Sequence, residues 1–245
     1  MEFSVIIPAR YASSRLPEKL LRDVDGKTLI EHTYCNAIKS GAKRVIIATD
    51  DKRIKSAADS FGAEACMTSV SHPNGTSRLS EAANLLGLED SEIVVNVQGD
   101  EPLLSPRVIN QVAMNIQKSD MQVATLCEQI KTEELYFDPN CVKVVYNSRG
   151  KALYFSRSPI PAFREASTPD LTLCYRHIGV YAYRAGFLRI YAELDISPIE
   201  MAEKLEQLTI LNEGFEIHVE PACDATGVGV DTEEDLIKVK KELGR

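Results

Sequence analysis

Arg10, Arg15 and Lys19 fall close together in Pro8-Ala-Arg-Tyr-Ala-Ser-Ser-Arg-Leu-Pro-Glu-Lys19. Arginine grips phosphate oxygens with parallel N–H donors, and lysine sets a point charge where negative charge grows during phosphoryl or nucleotidyl transfer. Together they suit a triphosphate, although a solvated basic turn is the plainer reading of the segment alone. It lacks the G-x-x-x-x-G-K-[ST] pattern, so it is not a P-loop. Further along, Val97-Gln-Gly-Asp-Glu-Pro102 closes an apolar run with an amide, a glycine and two acids, which puts Asp100 where a strand end could hold a hard cation. Magnesium takes one or two carboxylates plus phosphate oxygens and water, so Asp100 needs a partner. Asp231, ending Thr226-Gly-Val-Gly-Val-Asp231, is the candidate, with helix capping by Asp231 or Thr232 as its competing role. Finally, Ser71-His-Pro-Asn-Gly-Thr-Ser-Arg-Leu79 leads into a helical pattern and offers Thr76, Arg78 and free N–H groups to a base or ribose. Its plainer role is a strand-to-helix connection capped by Asn74 or Thr76, with His72 exposed beside its proline.

These residues need elements to position them. Val- and Ile-rich runs at 4–8, 44–49 and 92–97 suit strands buried on both faces, and amphipathic stretches at 28–40, 52–61 and 76–87 suit helices between them. The rhythm predicts an α/β fold with a mainly parallel sheet flanked by helices. It continues through a helix at 106–118 and a strand at 122–128. Residues 141–146 and 151–155 read as a hairpin about Asn147-Ser-Arg-Gly150, and 157–175, with three prolines, as an ordered loop or lid. Helical patterns return at 199–213 and 232–243. Open α/β sheets bind ligands at the carboxyl ends of their strands, where the polar residues above fall.

Composition narrows the function classes. A formal net charge of -8 disfavours nucleic acid, so a nucleotide must be met by local cations or a divalent metal. The six cysteines form no C-x-x-C pair and read as reduced thiols. The start of the chain lacks the basic flank of a signal peptide and no apolar run reaches ~18 residues, so the expectation is a cytoplasmic protein without membrane insertion.

Five blocks in order, Arg10-Tyr-Ala-Ser-Ser-Arg-Leu-Pro17, Asn96-Val-Gln-Gly-Asp-Glu-Pro102, Ala152-Leu-Tyr-Phe-Ser-Arg157, His177-Ile-Gly-Val-Tyr181 and Leu205-Glu-Gln-Leu208, closely resemble the 3-deoxy-manno-octulosonate cytidylyltransferases, over nearly the whole chain. The resemblance implies a nucleotide-diphospho-sugar transferase (GT-A-like) fold in one domain, with 1–130 mainly binding CTP and about 140–215 forming a β-rich acceptor and dimerisation subdomain. It implies CTP and 3-deoxy-D-manno-octulosonate (Kdo) as substrates, Mg2+ as cofactor, a homodimer, and a product used in lipopolysaccharide assembly. By matching position, Arg10, Arg15 and Lys19 would meet the CTP phosphates, with Lys19, Arg15 and Asp100 catalytic, and Ser71, Thr76 and Arg78 would lie around cytosine and ribose. Asp100 and Asp231 would hold the metal, and Gln98, Arg157, His177, Tyr181, Glu206 and Gln207 would surround Kdo. The residue types agree in part: an acidic sugar needs a cation, which Arg157 or His177 could supply, while Gln and Glu suit hydroxyls. Tyr181 also reads as a packing residue, and Glu206 as a surface position on an amphipathic helix.

The chain departs from the family pattern twice. Glu18 stands where glycine is usual before the phosphate lysine, and Ser77 where an acid is usual. Rival readings are a cytidylyltransferase for amino-Kdo, an acylneuraminate or a polyol phosphate, a GT-A glycosyltransferase, and a non-catalytic nucleotide sensor. Gly99-Asp-Glu-Pro102 lacks the Asp-x-Asp of the second, and Lys19, Asp100 and Asp231 together argue against the third.

Overall fold

The computed structural model describes residues 2–13, 16–72, 74–165 and 168–244. Its first half runs β1 (Ser4–Ala9), β2 (Asp23–Val24), β3 (Lys27–Thr28), α1 (Leu29–Ile38), β4 (Arg44–Thr49), α2 (Lys52–Ser60), β5 (Glu64–Met67), α3 (Gly75–Leu85), β6 (Ile93–Asn96) and α4 (Pro106–Lys118). There follow β7 (Val123–Gln129), α5 (Glu133–Phe137), β8 (Lys143–Tyr146), β9 (Ala152–Ser156), β10 (Tyr175–Arg184), α6 (Ala185–Ala192), α7 (Pro198–Glu203), α8 (Gln207–Asn212), β11 (Ile217–Pro221) and α9 (Glu233–Leu243).

Alternate residues of the Val- and Ile-rich runs enter different cores. Val5 and Ile7 of β1 pack with Ile30, Ile54, Val108 and Val112 of α1, α2 and α4, whereas Ile6 and Ile46 pack with Leu79, Ala82, Leu188 and Leu208 of α3, α6 and α8. Helices on both faces explain why these strands are apolar throughout rather than alternating. The strands lie in the order β11-β7-β10-β6-β1-β4-β5. Pairing is parallel from β6 through β1 and β4 to β5 and between β7 and β11, and β10 alone of this row runs against its neighbours. The expected mainly parallel sheet is thus present, with one reversed strand that carries His177 and Tyr181 toward the carboxyl ends of β6 and β7.

The hairpin forms as expected: β8 pairs antiparallel with β9, and Gly150 N–H donates to Asn147 O at 2.9 Å across the turn. The β-branched and aromatic residues of β10 and β11, and the helical face of 185–192, supply elements that the sequence reading did not assign. The single helix expected over 199–213 is two, because Lys204 adopts φ 55°, ψ 48° and ends α7. The described residues of 157–174 are irregular apart from a 3₁₀ turn at Leu171–Leu173, and Tyr136 anchors the segment by donating to Pro161 O at 2.7 Å.

Lys143 of β8 is 0% exposed. Its ammonium donates to the carbonyls of Asp138, Cys141 and Arg157 at 2.9, 2.6 and 2.6 Å, tying both ends of the hairpin together. Burial lowers its pKa, so three acceptors must sustain the charge. Replacing Lys143 by Met keeps the stem but leaves three carbonyls short of a donor, and should lower unfolding stability by about 2–4 kcal/mol. Urea unfolding measures this; a midpoint equal to that of the parent would remove Lys143 from the framework of the hairpin.

Candidate functional site

Lys19 begins a 3₁₀ turn that follows the loop after β1, and its ammonium donates to Asp100 Oδ2 and, at 3.1 Å, to Asp231 Oδ1. Three features bring these partners together. Parallel pairing sets β1 beside β6, so the loops leaving both strands meet. Gly99 lets the second loop lie against the first, since a β-carbon there would stand 3.2 Å from Pro8 O and 3.1 Å from Ile30 Cδ1. Finally, α1 holds the loop through Thr33 Oγ1, which donates to Gly99 O at 2.9 Å, while Val230 N–H donates to Asp100 O at 2.9 Å and draws the 226–231 segment alongside. Thr232, in a capping box with Asp235, is the N-cap of α9, so capping is not the role of Asp231. Glu101 is half-buried with its Oε2 shielded from solvent, and this burial together with the Asp100 carboxylate pushes its carboxyl up to about 8. It therefore adds little negative charge at neutral pH.

Around this cluster a cavity of about 370 Å³ is lined by Arg10, Lys19, His72, Asn74, Thr76, Arg78, Gln98, Asp100, Glu206 and Asp231, with Gly75 and Gly99 among its small residues. Arg10, Lys19, Thr76 and Arg78 of the expected nucleotide contacts are thus brought together. Arg15 lies outside the described residues. Ser71 is not among the described lining residues; its hydroxyl is 2.7 Å from that of Ser69. The buried Arg78 donates to Asp50 Oδ2 at 2.7 Å and to Thr68 Oγ1 at 2.6 Å, which fixes its side chain. His72, expected to be exposed, instead lines the cavity with Nε2 against the Glu81 carboxylate, because the turn before α3 folds it inward. Asn74 is the N-cap of α3, and Ser77 bonds it twice, by backbone N–H to Oδ1 and by hydroxyl to the main-chain oxygen. Ser77 thereby secures the helix start without the usual acid.

A second cavity, about 220 Å³, adjoins the first and shares Thr76, Asn96, Gln98 and Glu206 with it. Its other walls include His177, Tyr181, Tyr183, Tyr191, Lys204 and Gln207. Glu206 is not a surface position: it is largely buried, accepts from Thr76 Oγ1 at 2.9 Å, and has its pKa raised, chiefly by burial. Asn96 Oδ1, Tyr181 Oη and Gln207 Nε2 are buried without a well-formed hydrogen bond. Three uncompensated polar atoms in one wall are the chemistry expected of a site that meets a polyhydroxylated ligand. Tyr181 also packs, stacked on Tyr183 with ring centroids 5.6 Å apart.

Neither residue expected to supply a cation here does so in this structure. Burial lowers the His177 pKa to about 3, and its Nε2 is 3.1 Å from Thr125 Oγ1, so the ring is neutral. Arg157 is not brought to the described cavity wall, because its guanidinium is drawn to the main-chain oxygens of Glu203, Pro139 and Lys204 at 2.6, 3.0 and 3.4 Å. The cations near the two cavities are Arg10, Lys19, Arg78 and Lys204 among the described residues.

The described residues contain no group of three His, Cys, Asp or Glu able to hold a metal by themselves. Asp100 and Asp231 nevertheless offer two carboxylates that already share one cation, the Lys19 ammonium. An all-oxygen pair completed by phosphate oxygens and water fits magnesium.

Residues 4–217 match the cytidylyltransferase family. The chain is 64% identical over 243 residues to 3-deoxy-manno-octulosonate cytidylyltransferase of Ruthia magnifica, covering 99% of this chain and 100% of that one. The chain belongs to the 3-deoxy-manno-octulosonate cytidylyltransferase family. Its Haemophilus influenzae relative of the same name is 50% identical over 251 residues, 99% of each chain. A solved CMP:2-keto-3-deoxy-manno-octonic acid synthetase complexed with CTP has a TM-score of 0.90 and 43% identity, covering 99% of this chain and 98% of that one. A nucleotidyl transferase from Methanothermobacter, at 18% identity and TM-score 0.62 over 99% of this chain and 98% of that one, shares the fold. The expected nucleotidyltransferase fold is thus confirmed, and no helix among the described residues is long and apolar enough to cross a membrane.

For this cytidylyltransferase family member the sequence reading missed Asp50, Asn96, Tyr183, Tyr191 and Lys204. Asp50 was within reach, since it directly follows the carboxyl end of β4. The depressed His177 pKa gives a test. An unfolded histidine takes up its proton near 6.5, whereas the folded ring stays neutral until about pH 3. Protonation thus favours the unfolded chain, and this residue's contribution to stability falls as pH drops from about 6.5 toward 3. Imidazole NMR should show His177 neutral throughout pH 5–8. A transition near 6.5 would make it a cation for an acidic ligand.

Proposed function

We propose that this chain transfers CMP from CTP to Kdo, giving CMP-Kdo and pyrophosphate. The observation that carries this reading is the continuity of the two cavities, a cationic one holding Lys19, Asp100 and Asp231 and a hydroxyl-binding one, joined at Thr76, Asn96, Gln98 and Glu206. The names of the relatives and the CTP held by the similar structure support it.

In this reading Arg10 and Lys19 meet the triphosphate, and Arg15 belongs with them by its place in the same loop. Thr76 and Arg78, with Ser71 nearby, take the cytosine and ribose. Gln98, Tyr181, Glu206, Gln207 and the neutral His177 orient the sugar, and Arg157 joins them only if it is released from its carbonyl partners. The anomeric hydroxyl attacks the α-phosphorus in line; an oxygen–phosphorus bond forms, the bond to the bridging oxygen of the β-phosphate breaks, and the hydroxyl proton is released. Lys19 offsets charge gathering on the α-phosphate, and the walls hold two anions together whose repulsion otherwise keeps them apart. Mg2+ held by Asp100 and Asp231 would polarise phosphate oxygens and lower the pKa of the attacking hydroxyl.

The nucleotide half lies mainly within residues 1–130 and the acceptor half within about 140–215, where exposed Leu153, Leu173 and Met201 support pairing of two copies. The setting is cytoplasmic, and the product serves lipopolysaccharide assembly.

Pyrophosphate release should require CTP, Kdo and Mg2+ together, and chelation should abolish it. Asp100→Ala should retain the parent circular dichroism spectrum and lower turnover by about 10²-fold or more. Release with an acylneuraminate or amino-Kdo in place of Kdo would overturn the acceptor, and near-parent turnover of Asp100→Ala would overturn the metal assignment.

A further inference from the structure

The loop between β1 and Lys19 carries the phosphate cations, and its two ends are joined by contacts outside the cavity. Glu18 has φ 56° and ψ 23°, a left-handed conformation that a β-carbon disfavours and glycine adopts freely. Its carboxylate accepts a hydrogen bond from the Tyr11 hydroxyl. The Tyr11 ring lies beneath the Arg53 guanidinium, whose carbon is 3.3 Å from the ring centroid. Arg53 is itself fixed by Asp51, through Nε to Oδ1 at 2.9 Å and Nη2 to Oδ2 at 2.6 Å, and Asp51 is the N-cap of α2. The path therefore runs from the first turn of a packed helix to residue 11 at one end of the loop and residue 18 at the other. Arg10, Ala12, Ser13 and Lys19 line the cavity, whereas Tyr11, Glu18 and Arg53 do not.

We propose that Tyr11, Glu18 and Arg53 form a clasp that sets the phosphate loop before CTP arrives, with all three acting as positioning residues. The inference rests on the CTP reading above. It gives Glu18, an acid where the family usually has glycine, a use: its charge is turned to Tyr11, and the hydrogen bond offsets a conformation that costs glycine nothing. An organised loop loses less freedom on binding, so the clasp acts on affinity for the nucleotide rather than on the chemical step.

Four proteins test this: the parent, Tyr11→Phe, Glu18→Gly and the double variant, each assayed for pyrophosphate release and by calorimetry with CTP alone. Tyr11→Phe, which removes only the hydroxyl, should raise the KM and Kd for CTP by roughly three- to tenfold. It should leave kcat and the KM for Kdo within about twofold of the parent, a split that general loss of structure would not give. Glu18→Gly, which removes the same hydrogen bond, should also weaken CTP binding, and in that background Tyr11→Phe should have no further effect. Unchanged CTP affinity in Tyr11→Phe, or the same loss in both backgrounds, would overturn the clasp alone. A parent that does not bind CTP would overturn the nucleotide reading and the clasp with it.

Discussion

The Lys19 ammonium between the carboxylates of Asp100 and Asp231 is the contact that the rest of the site depends on. Two acids drawn together at a strand edge repel, and a cation between them makes the arrangement stable before any ligand arrives. The three residues come from loops far apart in the chain, and only the order of the sheet makes them neighbours. β6 lies parallel to β1, and the last loop is tied back through the main-chain bond from Val230 to Asp100. In the proposed reaction this side chain would exchange its carboxylate partners for phosphate oxygens.

The two halves of the cleft solve different electrostatic problems. A chain with net charge -8 must receive a polyanion, and it does so with Arg10, Lys19 and Arg78 gathered at one cavity. The adjoining cavity, with Lys204 as its cation among the described residues, is otherwise built from amides, phenols, a neutral imidazole and a largely buried acid, groups that recognise hydroxyls by direction rather than by charge. Its unpaired Asn96, Tyr181 and Gln207 atoms are costly to bury, and a polyhydroxylated partner would recover that cost.

Much of this was legible in the residues. The Val- and Ile-rich runs gave the buried strands, and the polar residues at their ends gave Lys19, Asp100 and the Thr76 to Arg78 segment, because periodicity and strand-end chemistry are local signals. What was not legible depends on distant packing. Nothing local says that Lys204 takes a left-handed conformation and splits 199–213 into two helices, yet that break is what turns Glu206 and Gln207 inward. Nor does sequence reveal that the Arg157 side chain is drawn to three carbonyls, or that burial takes the proton from His177. Both were expected from residue type, and environment overrode type.

The central claim is that Lys19 holds the place of a divalent cation at the Asp100–Asp231 pair. Electron paramagnetic resonance titration of Mn2+ into the nucleotide-free parent and Lys19→Met measures it directly. Removing an ammonium within 4 Å of the pair should tighten Mn2+ binding by about tenfold or more, at the effective dielectric of about 20 typical near a protein surface, even as turnover is lost. Equal or weaker Mn2+ binding in Lys19→Met would contradict the account, leaving Lys19 and the metal at separate places.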